Sequence, residues 1–161
     1  MEQIQKVYKF QDLAPRYTRK DLGGEAFLCD LGSIDSKEYR NIYEPNEDTY
    51  LLIDALNLES KNSILAQNPT TVLEIGIGSG AVINSLYMMM KRDGCKVDEI
   101  NFTGTDINPE ALVSARKVTE DNKTTIDYKE CIFADGIETK MDIIIFNPPY
   151  VVTSDEELQE A

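Results

Sequence analysis

Between Thr71 and Phe146 the chain alternates short apolar runs with longer helix-like ones, and this alternation constrains the fold more than any other feature. "TVLEIG", "NFTGTD", "YKECIFAD" and "MDIIIF" read as strands. "AVINSLYMMMKR" separates the first two and "PEALVSARKVTED" the next two, and both read as helices. Strands joined through helices run parallel, and strands this apolar need cover on both faces. The expected class is α/β, a mostly parallel sheet with helices on both faces. Asn108 is placed to cap the second helix, with Pro109 in its first turn. Met88, Met89 and Met90 are expected as helix residues and partly core filler.

Upstream, Asn46 can cap a helix that begins with Glu47 and Asp48, acids suited to a positive helix end. Leu51, Leu52, Ala55, Leu56 and Leu58 follow at roughly helical spacing. "SKNSILAQNPT" reads as a short apolar segment and a loop. Residues 1–42 have mixed composition and no sustained period, with turns and a short strand expected around Ala26–Leu31. The expected division is an extension of unassigned role over 1–42 and a ligand-binding domain over 43–161. The 161 residues suit a single domain. No apolar run reaches the length of about 18 that a membrane span needs, and "MEQIQKVYKF" lacks the apolar core of a secretory signal.

The formal net charge is −13, which repels phosphate backbones and argues against nucleic acid as the main substrate. Histidine is absent, so a common zinc site within the chain is not expected. Cys29, Cys95 and Cys131 are scattered and read as reduced residues of a cytosolic or nuclear protein, each with a buried structural role.

"VLEIGIGSG" sets Glu74, Gly76, Gly78 and Gly80 at a strand end just before a helix, where doubly wound sheets bind ligands. Gly76-x-Gly78-x-x-Ala81 also fits a dinucleotide pattern. A dinucleotide would bring a pyrophosphate to this loop, and Glu74 would oppose it. S-adenosylmethionine has no phosphate and carries a sulfonium and an ammonium, so a nearby acid suits it. Glu74 as a solvated strand-end residue is the alternative. Asp106 ends the next strand, where a carboxylate can accept both ribose hydroxyls; an Asx-turn ahead of Asn108 is the other reading. Asp135, with the Gly136 amide, is placed to reach an adenine edge, although Asp-Gly is equally an ordinary turn signal.

The fourth strand runs into Asn147-Pro148-Pro149-Tyr150 at the same edge of the sheet. Two prolines fix the backbone into a stiff ledge that presents the Asn147 side chain and the Pro148 carbonyl together. Those acceptors suit a planar NH2 donor, a carboxamide or the exocyclic amine of adenine, and Tyr150 supplies a wall. An amide nitrogen is a poor nucleophile, so catalysis here means aligning the nitrogen and stabilising its developing positive charge. Asn147, Pro148, Pro149 and Tyr150 are therefore the candidate catalytic residues.

"IYEPNEDTYLLIDAL", "VLEIGIGSG", "GTDINPEAL" and "FNPPYVVT" together resemble the HemK-type protein glutamine N5-methyltransferases, which modify the Gln of the Gly-Gly-Gln tip of translation release factors. The resemblance is closest to the eukaryotic and archaeal branch and covers about residues 42–153. It implies a Rossmann-like class I methyltransferase fold that uses S-adenosyl-L-methionine. It further implies cofactor contacts from Thr49, Glu74, Gly76, Asp106, Asp135, Gly136 and Asn147, and a glutamine held by Asn147–Val151. It also implies a heterodimer with a small zinc-binding activator, paired to the strand around residues 129–134. The family sheet has the order 3-2-1-4-5-7-6, so the chain is expected to be truncated after strand four, with "IIIF" left as an edge strand.

Three other functions remain open on the sequence. An adenine N6-methyltransferase uses a similar ledge for a flipped base, but the basic surface it needs is missing. A protein lysine methyltransferase is compatible with the acidic surface. An inactive methyltransferase-like binding module is the non-enzymatic reading.

Overall fold

The structure, a computed structural model, describes residues 27–150. Four strands form one sheet: β1 (Thr71–Ile75), β2 (Asn101–Asp106), β3 (Asp127–Glu130) and β4 (Ile143–Phe146). All pairings are parallel and the spatial order is β3-β2-β1-β4. The three α-helices are α1 (Glu47–Glu59), α2 (Ala81–Arg92) and α3 (Pro109–Asn122). α2 joins β1 to β2 and α3 joins β2 to β3, both stepping the same way across the sheet. Right-handed crossovers then set α2 and α3 on one face. The chain returns to β4 through residues 131–142, which contain no helix.

The core lies between that face and its helices. Val72, Phe102 and Ile145 from the sheet meet Ile83, Leu86, Met89 and Met90 from α2, with Ile53 from α1 beside them. Met88 is only partly buried against this core. In α1 the inward residue is Ile53, while Leu52 and Leu56 pack at its flanks and Leu58 is exposed. Asn46 caps α1 as expected, accepting from the Asp48 amide at 3.2 Å, and the Thr49 hydroxyl accepts from the Asn46 amide at 3.3 Å. The Asn108 side chain accepts from the Glu110 amide at 3.0 Å at the start of α3.

Residues 27–42 pack onto α2 and α3. Cys29, Ile34 and Ile42 form a second cluster with Ala111 and Val118. Asp30 and Asn122 exchange two hydrogen bonds at 2.8 Å, and Lys117 pairs with Glu38. Burial pushes the Cys29 thiol up to about 11, the behaviour of a structural cysteine. Cys95 and Cys131 are only half-buried, and all three thiols are free.

Four expectations need correction. Residues 27–31 form no strand, and Ala26 lies outside the described residues. "SKNSILAQ" stays helical, as a π-turn over Ser60–Ile64 and a 3-10 turn over Leu65–Gln67, because Ile64 is drawn into the core. The strand "YKECIFAD" stops at Glu130: Cys131–Gly136 turn instead, with Phe133 at φ 48° and Gly136 at φ 73°, conformations a pleat cannot hold. "MDIIIF" begins at Ile143, because the Asp142 carboxylate is spent on the Thr70 and Thr71 amides at 2.7 and 3.3 Å.

A buried polar knot locks the crossover helices together. Asn84 of α2 donates to the Gly80 carbonyl at 2.9 Å and to the Tyr128 hydroxyl at 3.2 Å, and accepts from Thr119 at 3.2 Å and from Thr124. Tyr128 and Thr119 share a 2.6 Å hydrogen bond, and burial pushes the Tyr128 phenol up to about 12. Removing the hub strands several partners at once. Asn84→Ala is expected to lower stability by about 2–3 kcal/mol. Urea unfolding measures this, and a loss below about 0.5 kcal/mol would refute the hub role.

Candidate functional site

The strands deliver their carboxyl ends to one cavity of about 610 Å³. Its walls come from residues 41–49 ahead of and within α1, the loop after β1, the end of β2, Cys131–Phe133 and Phe146–Tyr150. Helix starts and loops converge there because all four strands point the same way.

The glycine loop is shaped by backbone need. Gly78 has φ 51° and Gly80 φ 81°. A Cβ on Gly80 would lie 3.0 Å from the Ala115 Cβ and 3.1 Å from the Asn84 amide, so only glycine lets α2 start this close to α3. The Gly76 and Ile77 amides both donate to the Thr105 carbonyl, at 2.8 and 3.1 Å. The Gly78 amide donates to Asp106 Oδ2 at 3.0 Å.

Glu74 lines the cavity from the end of β1 and is only 3% exposed, which removes the solvated alternative. Its Oε2 accepts from the Ile83 amide at 2.9 Å. Gly80, at the helix cap position, has no side chain to offer, and Glu74 satisfies the first turn of α2 from the sheet. Burial raises the Glu74 pKa well above the ordinary range; the Ile83 bond opposes this and the Asp106 charge adds to it.

Asp106 forms the Asx-turn and also lines the cavity. Its Oδ1 accepts from the Asn108 amide at 2.9 Å, an Asx-turn, and its other oxygen holds the glycine loop at the cavity wall. Thr49 is buried and lines the cavity. Asn147, Pro148, Pro149 and Tyr150 line its exposed mouth, and Val151 lies outside the described residues. Asp135 and Gly136 are exposed in the turn after β3 and do not line the cavity; Cys131, Ile132 and Phe133 do. Strand β3 ends too early to carry Asp135 to the edge.

Asp48 is the residue that the sequence reading passed over, having treated it only as a first-turn acid. Its Oδ2 accepts from Asn147 Nδ2 and from the Tyr150 hydroxyl, both at 3.2 Å. Its Oδ1 accepts from the Tyr43 hydroxyl at 3.0 Å and from the Thr49 amide at 2.9 Å. Partial burial favours the neutral acid, but the hydrogen bonds from Asn147, Tyr43, Thr49 and Tyr150 outweigh it and hold the carboxyl below its usual range. The available signal was "YEPNEDT", where an acid sits beside a tyrosine and a cap.

The lining thus contains three acidic side chains, Asp48, Glu74 and Asp106, and no lysine or arginine. Such a cavity favours a cationic ligand and disfavours phosphate. Among the described residues, no three or more Cys, Asp or Glu side chains are grouped to hold a metal ion.

The Glu74 shift has a testable sign. A carboxyl whose folded pKa is raised contributes stability below about pH 4.5 that is lost as pH rises toward the folded value. Glu74→Gln keeps an acceptor for Ile83 and cannot ionise. Its melting temperature, relative to the parent without ligand, is expected to rise as pH increases from about 4.5 toward the raised folded pKa. A difference that is flat across this range would refute the buried-acid assignment.

The family model for the methyltransferase small domain matches residues 47–160. Methyltransferase HEMK2 of Homo sapiens is 34% identical over 142 residues, 85% of this chain and 62% of its own length. The eRF1 methyltransferase catalytic subunit mtq2 of Schizosaccharomyces pombe is 31% identical over 129 residues, 76% of this chain and 56% of its own. The release factor glutamine methyltransferase of Bacteroides thetaiotaomicron is 36% identical over 122 residues, 73% of this chain and 38% of its own. The chain therefore spans under two thirds of these relatives. With a match that begins at α1 and includes the glycine loop, Asp106 and the Asn147–Tyr150 corner, the chain belongs to the methyltransferase small domain family.

Proposed function

We propose that the protein is an S-adenosylmethionine-dependent N-methyltransferase acting on the side-chain amide of a protein glutamine, in the Gly-Gly-Gln motif of a translation release factor. The observation that carries this reading is a cavity with three acidic side chains, no lysine or arginine, and the Asn147-Pro148-Pro149-Tyr150 ledge as one wall. The relatives, which include an eRF1 methyltransferase and a release factor glutamine methyltransferase, suggest the substrate class.

The residues fit the cofactor. A sulfonium and an ammonium suit a cavity of acids, and the glycine loop lets the backbone come close to a ligand. Asp106, at the end of β2, is the acceptor for ribose hydroxyls. Ile107, Ile132 and Phe133 are the apolar lining residues suited to a flat base. Thr49, Glu74, Gly76, Gly78 and Asn147 complete the cofactor side of this reading; Asp135 and Gly136 have no lining position to contribute. When bound, S-adenosylmethionine supplies an electrophilic methyl group on a positive sulfur.

The chain supplies position and charge. The Asn147 side-chain oxygen and the Pro148 carbonyl accept from the two N–H groups of the substrate amide, fixing its nitrogen. Pro148 and Pro149 hold those acceptors still. The hydrogen bonds strengthen as the nitrogen becomes positive, so they stabilise the transition state more than the bound substrate. The reading includes a small zinc-binding activator on the free edge of β3 and a cytoplasmic or nuclear location.

Two substitutions separate the roles. Asn147→Ala is expected to abolish methyl transfer to a Gly-Gly-Gln peptide while S-adenosylhomocysteine affinity changes by less than about tenfold. Asp106→Ala is expected to weaken that affinity by tenfold or more, about 1.4 kcal/mol. Calorimetric titration and a methylation assay on the full-length protein measure both; an active Asn147→Ala protein would sink the ledge mechanism.

A further inference from the structure

Asp48 draws together three separate stretches of chain. Tyr43 approaches from the segment before α1, Thr49 from the first turn of α1, and Asn147 and Tyr150 from beyond β4. Four donors converge on one carboxylate at the mouth of the cavity. We infer that Asp48 is the positioning residue of the site, fixing which end of the Asn147 side chain faces the acceptor; this rests on the methyl-transfer reading above.

The argument follows from what each group can do. An ionised carboxylate accepts hydrogen bonds and donates none. Asn147 must therefore turn its NH2 toward Asp48 Oδ2, as the 3.2 Å contact has it. A half-turn of the amide would set oxygen against oxygen beside a full negative charge. With its nitrogen committed, Asn147 offers the cavity an oxygen. An oxygen accepts from the NH2 of a carboxamide and repels a carboxylate. Asp48 thus selects glutamine over glutamate through Asn147, without touching either.

The surrounding groups keep the arrangement in force near neutral pH. Hydrogen bonds hold the Asp48 carboxyl below its usual range against the cost of burial. The Asp48 charge foremost raises the Tyr150 phenol, and burial foremost raises Tyr43, so both remain protonated donors.

Asp48→Asn preserves the shape but provides one accepting oxygen and one NH2, so it cannot accept from both donor pairs. It also lets Asn147 reverse. Asn46 still caps α1, so the helix start is retained. The first readout needs no substrate: in nitrogen-15 spectra of the full-length protein, the Asn147 side-chain protons are expected to leave their hydrogen-bonded position. Unmoved resonances overturn the inference.

The second readout is discrimination between Gly-Gly-Gln and Gly-Gly-Glu peptides with S-adenosylhomocysteine bound. Asp48→Asn is expected to lose at least tenfold of the preference for glutamine, and its kcat to fall on the order of 100-fold. The exchange variant Asp48→Asn with Asn147→Asp restores both the hydrogen bond and an oxygen facing the cavity, at unchanged net charge. It is expected to recover the preference to within about tenfold of the parent, whereas Asn147→Asp alone sets two acids together and fails. An exchange variant no better than the worse single variant overturns the inference. A parent protein that binds S-adenosylhomocysteine but shows no glutamine preference overturns the substrate reading instead, and the spectra then decide the orientation of Asn147 separately.

Discussion

The hydrogen bond from the Ile83 amide to the Glu74 carboxylate is the contact from which the site is assembled. It joins the end of β1 to the first turn of α2 and so fixes the ends of the glycine loop between them. A buried acid is costly, and one amide hydrogen bond offsets only part of that cost. A hydrophobic residue at position 74 would pack better and leave the start of α2 without this partner. On the proposed function, a positive ligand would offset the cost of ionising this buried acid. Fold and site thus share one group.

From that contact the remaining order spreads by long-range hydrogen bonds. Asp106 holds Gly78 and starts α3 through Asn108, and Asn108 in turn donates to the Asn41 carbonyl at 2.8 Å. The segment 27–42 is therefore fastened at the cavity rim as well as along α3. Asn84 performs the same service on the far side of α2, binding α3 and β3 through Thr119 and Tyr128. Apart from the local Asp106–Asn108 bond, these span 28 to 67 residues, so the cavity walls form only when the whole sheet is in register.

Local signals in the sequence reached the strands and helices but not the connections. α2 and β2 have the bounds that their apolar runs suggest; α2 is buried on nearly every side, and Gly80 and Asp93 bracket it. The segment after β3 has no such period: "CIFAD" is as apolar as a strand, and only Phe133 in a left-handed conformation, with Thr105 donating to its carbonyl at 2.6 Å, reveals a turn. That is why Asp135 looked like an edge residue and is not one. Asp48 was illegible for a different reason. A first-turn acid and a site acid have the same local pattern, and what separates them is Asn147, ninety-nine positions away. The ledge itself was legible because two prolines after an apolar run have few other uses.

One feature of the sheet has consequences for the chemistry at its end. β4 has a strand neighbour on one side only among the described residues, and Ile144 and Phe146 are 60% and 43% exposed. Phe146 is also a wall of the cavity and the residue before Asn147. Any polypeptide that adds itself to this edge restrains the backbone from which the ledge projects. Thermodynamic linkage requires that any coupling between such a strand and a ligand against Asn147 act equally in both directions. The sheet edge and the cavity mouth thus share one stretch of backbone at Phe146 and Asn147.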